Sequence, residues 1–199
     1  MSLELDKTAQ DLLFREARTA NTFTDEPVTE EQVQAIYDLV KYAPTAMNAQ
    51  PLRVLIVRSA EARERLVGHM AEGNKAKTAA APLVAVLAYD VDFHEELPKV
   101  FPHAAGAKDN FDGTEKEPVR HKVGSFNAAL QVGYFILGVR AAGLAAGPMA
   151  GFDGDGIDKE FFGDGRHKTI AVVNIGKPGP DAWFPRNPRL EYGDVVTTV

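Results

Sequence analysis

Between Lys122 and Arg140 the chain reads VGSFNAALQVGYFILGV, its longest run without a charge. The run is apolar on nearly every side at helical spacing, and a helix of that kind has to be covered all round. It falls just short of a membrane span, and Ser125, Asn127, Gln131, Tyr134 and three glycines dilute it. A helix buried in protein, from about His121 to Ala142 and stopped by Gly143, is therefore expected. The cover has to come from the rest of a 199-residue chain, which suits one domain large enough to bury a core unaided. A second apolar segment closes the chain: after GKPGP, residues Asp181 to Val199 carry Trp183, Phe184, Leu190 and the β-prone VVTTV without a core of their own. Two orphan apolar segments in so small a chain predict that a second copy supplies part of the cover.

Around these segments the pattern alternates helices with a few buried strands. Thr8 to Arg18 reads as a helix, and Asn21 to Pro27 as a turn. Thr29 and Gln32 have capping-box spacing ahead of Val33, Ile36, Tyr37 and Val40, and Pro44 ends that helix. Leu52–Val57, Leu83–Tyr89 and Thr169–Ile175 are short apolar runs of buried-strand type. Ser59 caps a helix through Met70, and Asn74 to Ala80 forms a short one before Pro82. From Asp90 to Pro118 the pattern breaks into prolines, Phe101, Phe111 and mixed charges, a loop or lid with a short helix, and such long insertions are often functional. The fold class that follows is α+β or α/β in layers.

Composition narrows the chemistry. There is no cysteine, so disulfides, thiolate catalysis and cysteine metal sites are excluded. The net charge of −6 is spread without a basic face, which speaks against nucleic acid. MSLELDKTAQDLL lacks a signal-peptide core, and a cytoplasmic protein off the membrane is expected. No phosphate-loop, Rossmann or nucleophile-elbow motif occurs. DGDGID departs from a calcium loop at Ile157 and Asp158 and reads as a helix start, and the five histidines lack ligand spacing, so no metal is assigned. What remains outside the core periodicity is a set of basic and amide residues: Arg18, Asn48, Gln50, Asn74, Lys77, Arg186 and Arg189. A phosphorylated planar cofactor needs cations for its phosphate and amides for its ring edge, and this inventory supplies both.

Five segments occur in an order that resembles the FMN-dependent nitroreductase family: RTANTF from Arg18, APTAMNAQP from Ala43, GNKAK from Gly73, GPMAGFD from Gly147 and RNPRL from Arg186. The short RTxN form, LPKVFPH from Leu97 and the paired Phe161-Phe162 are most similar to the branch that holds malonic semialdehyde reductases. The resemblance implies a three-layer α/β/α sandwich on a mostly antiparallel sheet, and an intertwined homodimer whose C-terminal tails are exchanged. It also implies FMN at the shared interface and NADH or NADPH as electron donor. Carried over residue by residue, Arg18 and Thr19, with Asn21 beside them, match the N-terminal phosphate motif. Pro44, Thr45, Ala46, Asn48 and Gln50 match the loop that reaches the partner's flavin. Asn74 and Lys77 match the pair at the pyrimidine edge, with Lys77 placed to stabilise reduced flavin electrostatically. Ala150 and Gly151 match the backbone facing the reactive nitrogen, and Arg186 and Arg189 the C-terminal cations at the phosphate. Ala17 stands where many members have a second arginine, and Asn21 where many have Lys or Arg, which shifts the expected phosphate contacts toward Arg186 and Arg189 and leaves less positive charge at the ring edge. Phe101 and Phe111 are candidates to cover substrate, with core packing equally open. The expected activity is ping-pong reduction of malonic semialdehyde to 3-hydroxypropionate. A broad nitroaromatic, quinone or enone reductase and a flavin binder without turnover are the alternatives.

The uncharged APTAMNAQP loop then has a reason. Amides meet the carbonyls and N–H groups of a flat ring at far lower desolvation cost than an unpaired charge.

Overall fold

The computed structural model describes residues 3–163 and 165–199. In chain order the elements are α1 (Lys7–Gln10), continued by a wider turn over Asp11–Arg15; α2 (Glu30–Val40); β1 (Leu52–Val57); α3 (Ala60–His69); α4 (Glu72–Ala80); β2 (Leu83–Asp90); α5 (Leu97–Val100); α6 (Glu117–Ala141); β3 (Ala145–Met149); α7 (Gly154–Ile157); β4 (His167–Gly176); and α8 (Tyr192–Val195). The strands form one sheet in the order β1-β2-β4-β3, antiparallel throughout.

The sheet carries a core on each face, and β2, buried along its whole length, shows why. Leu83, Ala85 and Leu87 point into one core with Ile36, Val40, Phe135 and Val139 of α2 and α6. Val84 and Val86 point into the other, with Leu66 of α3, Met70 and Ile157 of α7. A period-two strand with both sides covered is continuously apolar, as LVAVLAY is. The result is the expected three-layer α+β sandwich.

Local chemistry places the helix starts. Thr29 accepts from the Gln32 amide while the Gln32 side chain accepts from the Thr29 amide, the capping box read from sequence. Ser59 accepts from the Ala62 amide, and Asp153 from that of Gly156, so DGDGID opens a helix as expected. Other boundaries move. The first helix stops at Arg15, leaving Arg18 on an extended strap, and α4 begins at Glu72. The long helix begins at Glu117 with Pro118 in its first turn, where a missing N–H costs nothing. The segment expected to be mostly loop is largely helical, with short turns of helix over Phe93–Glu96, Pro102–Asn110 and Thr114–Lys116 around α5. β3, AAGPM, was hidden by its Gly and Pro; it is an edge strand, where Pro is tolerated.

The long helix is not covered on all sides within the chain. Gly124, Asn127, Ala128, Gln131, Phe135, Gly138 and Val139 are buried, yet Phe126, Leu130 and Tyr134 remain 66%, 42% and 43% exposed along one face. At the opposite, buried face a Cβ on Gly138 would overlap Val40 Cγ1 and come within 3.4 Å of Ile36 Cγ2. Gly138→Val is therefore expected to wedge α2 from α6. The cost of overpacking outweighs the small gain in helix propensity, for a net loss of about 2 kcal/mol. Thermal unfolding would report this as a Tm lower by about 4–8 °C.

Candidate functional site

The loop between α2 and β1 is held open by strain and by the long helix. Met47, Asn48 and Gln50 all adopt left-handed backbone, with φ of 54°, 51° and 44°. Such conformations cost non-glycine residues of order 1–3 kcal/mol each, and persist only when neighbours over-determine them. The neighbours here are the polar residues of α6. Asn127 Oδ1 accepts from the Ala46 amide at 2.7 Å, and Gln131 Oε1 from the Leu52 amide at 3.0 Å. Gln50 N–H donates to Thr45 Oγ1 at 3.2 Å, and Asn48 Nδ2 to the Val100 carbonyl at 2.8 Å. Asn127 and Gln131, which merely dilute the apolar run in the sequence, are thus the clamps of this loop. Two amides one helical turn apart in the uncharged stretch of that helix were the signal for it. Pro44, Ala46 and Asn48 are exposed, and Thr45 and Gln50 half-buried.

A second cluster forms where the two ends of the chain meet. Ala20 N–H donates to the Ala146 carbonyl of β3, and Asn21 N–H to the Ala182 carbonyl of the tail. This pins the strap after the first helix between sheet and tail. The fit is close enough that a Cβ on Gly147 would come within 2.8 Å of the Ala20 carbonyl oxygen. Between strap and tail lies a cavity of about 240 Å³ lined by Arg18, Thr19, Asn21, Arg186, Asn187 and Arg189, among others. All five residues expected at an anion from opposite ends of the sequence border this one space. Arg186 donates to the carbonyls of Arg15 and Ala17, Arg189 Nη1 to those of Asn187 and Pro188, and Arg18 lies 3.8 Å from Glu16. Three guanidiniums, a hydroxyl and amides converging on one pocket are a donor set for phosphate.

A third cluster sits at the far end of β3. Asn74 Nδ2 and the Ala71 amide both donate to the Gly151 carbonyl, at 2.9 and 3.0 Å, which fixes the Ala150–Gly151 turn against the start of α4. Lys77 is half-buried one turn further along α4. The five residue-to-residue steps from Ala146 to Gly151 span about 16 Å of extended chain, so β3 separates an anion pocket from an amide-lined turn. An elongated ligand with an anion at one end and a polar ring edge at the other can lie along it. Among the described residues no hydrogen bond joins the Pro44–Gln50 loop to either cluster, so one chain brings together two of the three expected parts.

The segment after β2 packs on that loop. Phe93, Leu97 and Phe111 are buried together with Ala49, and Met47, Val100 and Phe101 pack against them. Phe111 therefore lies in a small core, its ring 5.3 Å from Phe93, while Phe101 is half-buried and 4.0 Å from the His103 ring. His94 is buried beside Asp112 at 3.2 Å, and burial together with the Arg120 charge pushes its pKa down. The segment is anchored at Asp90, which is 1% exposed. Its carboxylate receives Arg53 at 2.7 Å, Arg166 at 2.6 and 2.8 Å and the Asp92 amide at 2.9 Å. Burial alone would raise the Asp90 pKa, but Arg166 and Arg53 outweigh it and hold the carboxyl below its usual range.

Known proteins share this sequence and this fold. A relative in Streptomyces coelicolor, named as an NADH dehydrogenase/NAD(P)H nitroreductase, is 70% identical over 199 residues, covering all of both chains. A nitroreductase structure from Bacillus subtilis superposes with a TM-score of 0.85 at 21% identity, over 98% of this chain and 100% of that one. Another, from Exiguobacterium sibiricum and in complex with FMN, gives 0.80 at 20% identity over the whole of both chains. The family model described as Nitroreductase family matches residues 14–177, and the chain belongs to that family.

Proposed function

We propose that the protein is an FMN-dependent NAD(P)H oxidoreductase that works as a homodimer and reduces malonic semialdehyde to 3-hydroxypropionate. The observation that carries the reading is the single cavity bordered by Arg18, Thr19, Asn21, Arg186 and Arg189. These residues would hold the phosphate of FMN. The Asn74–Gly151 turn and Lys77 would lie at its ring edge, with the Lys77 charge opposing the build-up of negative charge there. When bound, FMN supplies hydride transfer from NAD(P)H to an oxidised small molecule in two half-reactions. The aldehyde carbon receives the hydride, and its oxygen takes a proton to give the alcohol.

Three features support the dimer. Phe126, Leu130 and Tyr134 form an exposed apolar face on α6. Among the described residues no strand pairs with the outer edge of β1, which lies beside a groove of about 420 Å³ lined by Tyr37, Leu52, Val54 and Gln131. The tail ends in Val195, Val196 and Val199, all exposed, and an exposed edge and a β-prone segment are complementary. Two chains joined in this way would bring each strained loop to the other's cofactor. The segment 90–118 would act as a lid, with Phe101 nearest the substrate and Phe111 holding the lid together.

The test is a purified, yellow preparation carrying one FMN per chain and eluting as a dimer. Anaerobic NADH or NADPH should bleach the flavin band, and malonic semialdehyde should restore it faster than quinones, enones or nitroaromatics. A band that neither nucleotide bleaches overturns the oxidoreductase reading. Faster return with quinones or nitroaromatics replaces the semialdehyde by the broad-acceptor reading, and a compact monomer that retains FMN overturns the shared site.

A further inference from the structure

One arginine near the anion pocket has no role in the reading above. Arg140 lies in the last turn of α6, and its guanidinium reaches across to the end of the first helix, where Nη1 donates to the Leu13 carbonyl at 3.3 Å. Its Nε is buried without a hydrogen-bond partner among the described residues. Arg140 and Arg18 share the wall of a cleft of about 190 Å³, whose other boundary, Ala17, also lines the anion pocket.

Two guanidiniums from distant segments therefore grip one short stretch of backbone. Arg140 takes Leu13; Arg186 takes Arg15 and Ala17. The Leu13 and Arg15 carbonyls end the first helix, where orphan acceptors and the negative end of the helix dipole favour a cation, and the Ala17 carbonyl lies just beyond it. The stretch leads directly into Arg18 and Thr19. Holding the carbonyls of residues 13, 15 and 17 consequently sets where the Arg18 fork and the Thr19 hydroxyl can reach. The grip has an electrostatic cost: burial, together with the repulsion between Arg140 and Arg186, pulls down the Arg140 pKa. An anion entering between strap and tail would relieve it.

We propose that Arg140 is a positioning residue for the phosphate of FMN, acting through the Leu13–Ala17 backbone to hold Arg18 and Thr19 toward the anion. The inference rests on the FMN reading. It adds a residue that does not touch the ligand in that reading and gives it one part of the ligand to serve. A residue that merely stabilised the first helix would affect all ligands alike. A residue that positions the phosphate clamp distinguishes FMN from riboflavin, which carries the same ring and no phosphate.

The experiment measures affinities of cofactor-stripped protein for FMN and for riboflavin by flavin fluorescence quenching. The proteins are wild type, Arg140→Met, Arg140→Lys and Arg189→Ala. Arg140→Met keeps the aliphatic stem, and is expected to weaken FMN by about tenfold through a misplaced Arg18 fork, while riboflavin stays within about twofold. Arg140→Lys keeps the charge and loses the fork, and is expected to fall between the two, by about threefold for FMN. Should Arg140→Met not fold, Arg140→Lys decides alone. Equal weakening of both ligands, or no weakening of either, overturns the inference. If Arg189→Ala loses the preference for FMN while the Arg140 variants retain it, the inference fails and the FMN reading stands. If wild type binds neither ligand, both fail.

Discussion

Arg189→Ala is expected to release FMN during purification, raising its Kd by about ten- to a hundredfold. Arg189 faces the anion pocket from the tail, and among the described residues its guanidinium is held only by the neighbouring Asn187 and Pro188 carbonyls. No helix or sheet depends on those bonds, so the folded protein should keep its Tm. One charged hydrogen-bonding contact to a phosphate contributes about 1.5–3 kcal/mol, which corresponds to about ten- to a hundredfold in Kd. The measurement is the flavin-to-protein absorbance ratio after extensive dialysis, with Lys159→Ala as the control, since Lys159 is exposed on the turn after α7 and far in sequence from every proposed contact. Equal retention by the two variants would remove Arg189 from the cofactor site.

The largest effect on stability is expected at Asp90. Asp90→Ala leaves Arg53 and Arg166 facing each other across a buried site with no carboxylate between them. Breaking a buried pair typically costs about 3–5 kcal/mol. Both arginines retain about a third of their exposure, so water recovers part of that, and a loss of about 2–3 kcal/mol is expected. Tm should fall by about 5–10 °C. The same carboxylate gives a pH signature. Its folded pKa lies below the unfolded value, so its contribution is fully present above about pH 4, the unfolded carboxylate pKa, and is lost as pH falls through the folded value. The wild type should therefore lose stability below pH 4 more steeply than Asp90→Asn. A Tm unchanged in Asp90→Ala would show that the network is held by Arg166 and Glu95, 2.8 Å apart, instead.

What the sequence made legible was whatever depends on neighbours in the chain. Thr29 with Gln32, Ser59, and Asp153 could each be read because a cap and the amide it serves are three residues apart. The run LVAVLAY could be read because a doubly covered strand has to be apolar throughout. The anion pocket was legible only through family resemblance, since nothing in the spacing of Arg18 and Arg189 predicts that they meet. What escaped was set by tertiary partners. β3 contains Gly147 because the Ala20 carbonyl needs the room, and Pro148 because an edge strand tolerates it, and both residues disguise the strand. The left-handed loop is invisible locally: nothing in Met47 or Gln50 favours positive φ, and the bonds that support it come from residues some eighty positions away. Asp90 and Arg166, likewise, are ordinary surface-type residues until the sheet buries one against the other.

The apolar nucleus under residues 93–111 borrows Ala49, with Met47 beside it, from outside that stretch. The stretch is therefore not a self-contained cassette. Transplanting it into a relative to exchange acceptor preference would carry the walls and leave the floor behind, and a functional chimera has to move Met47–Ala49 along with it.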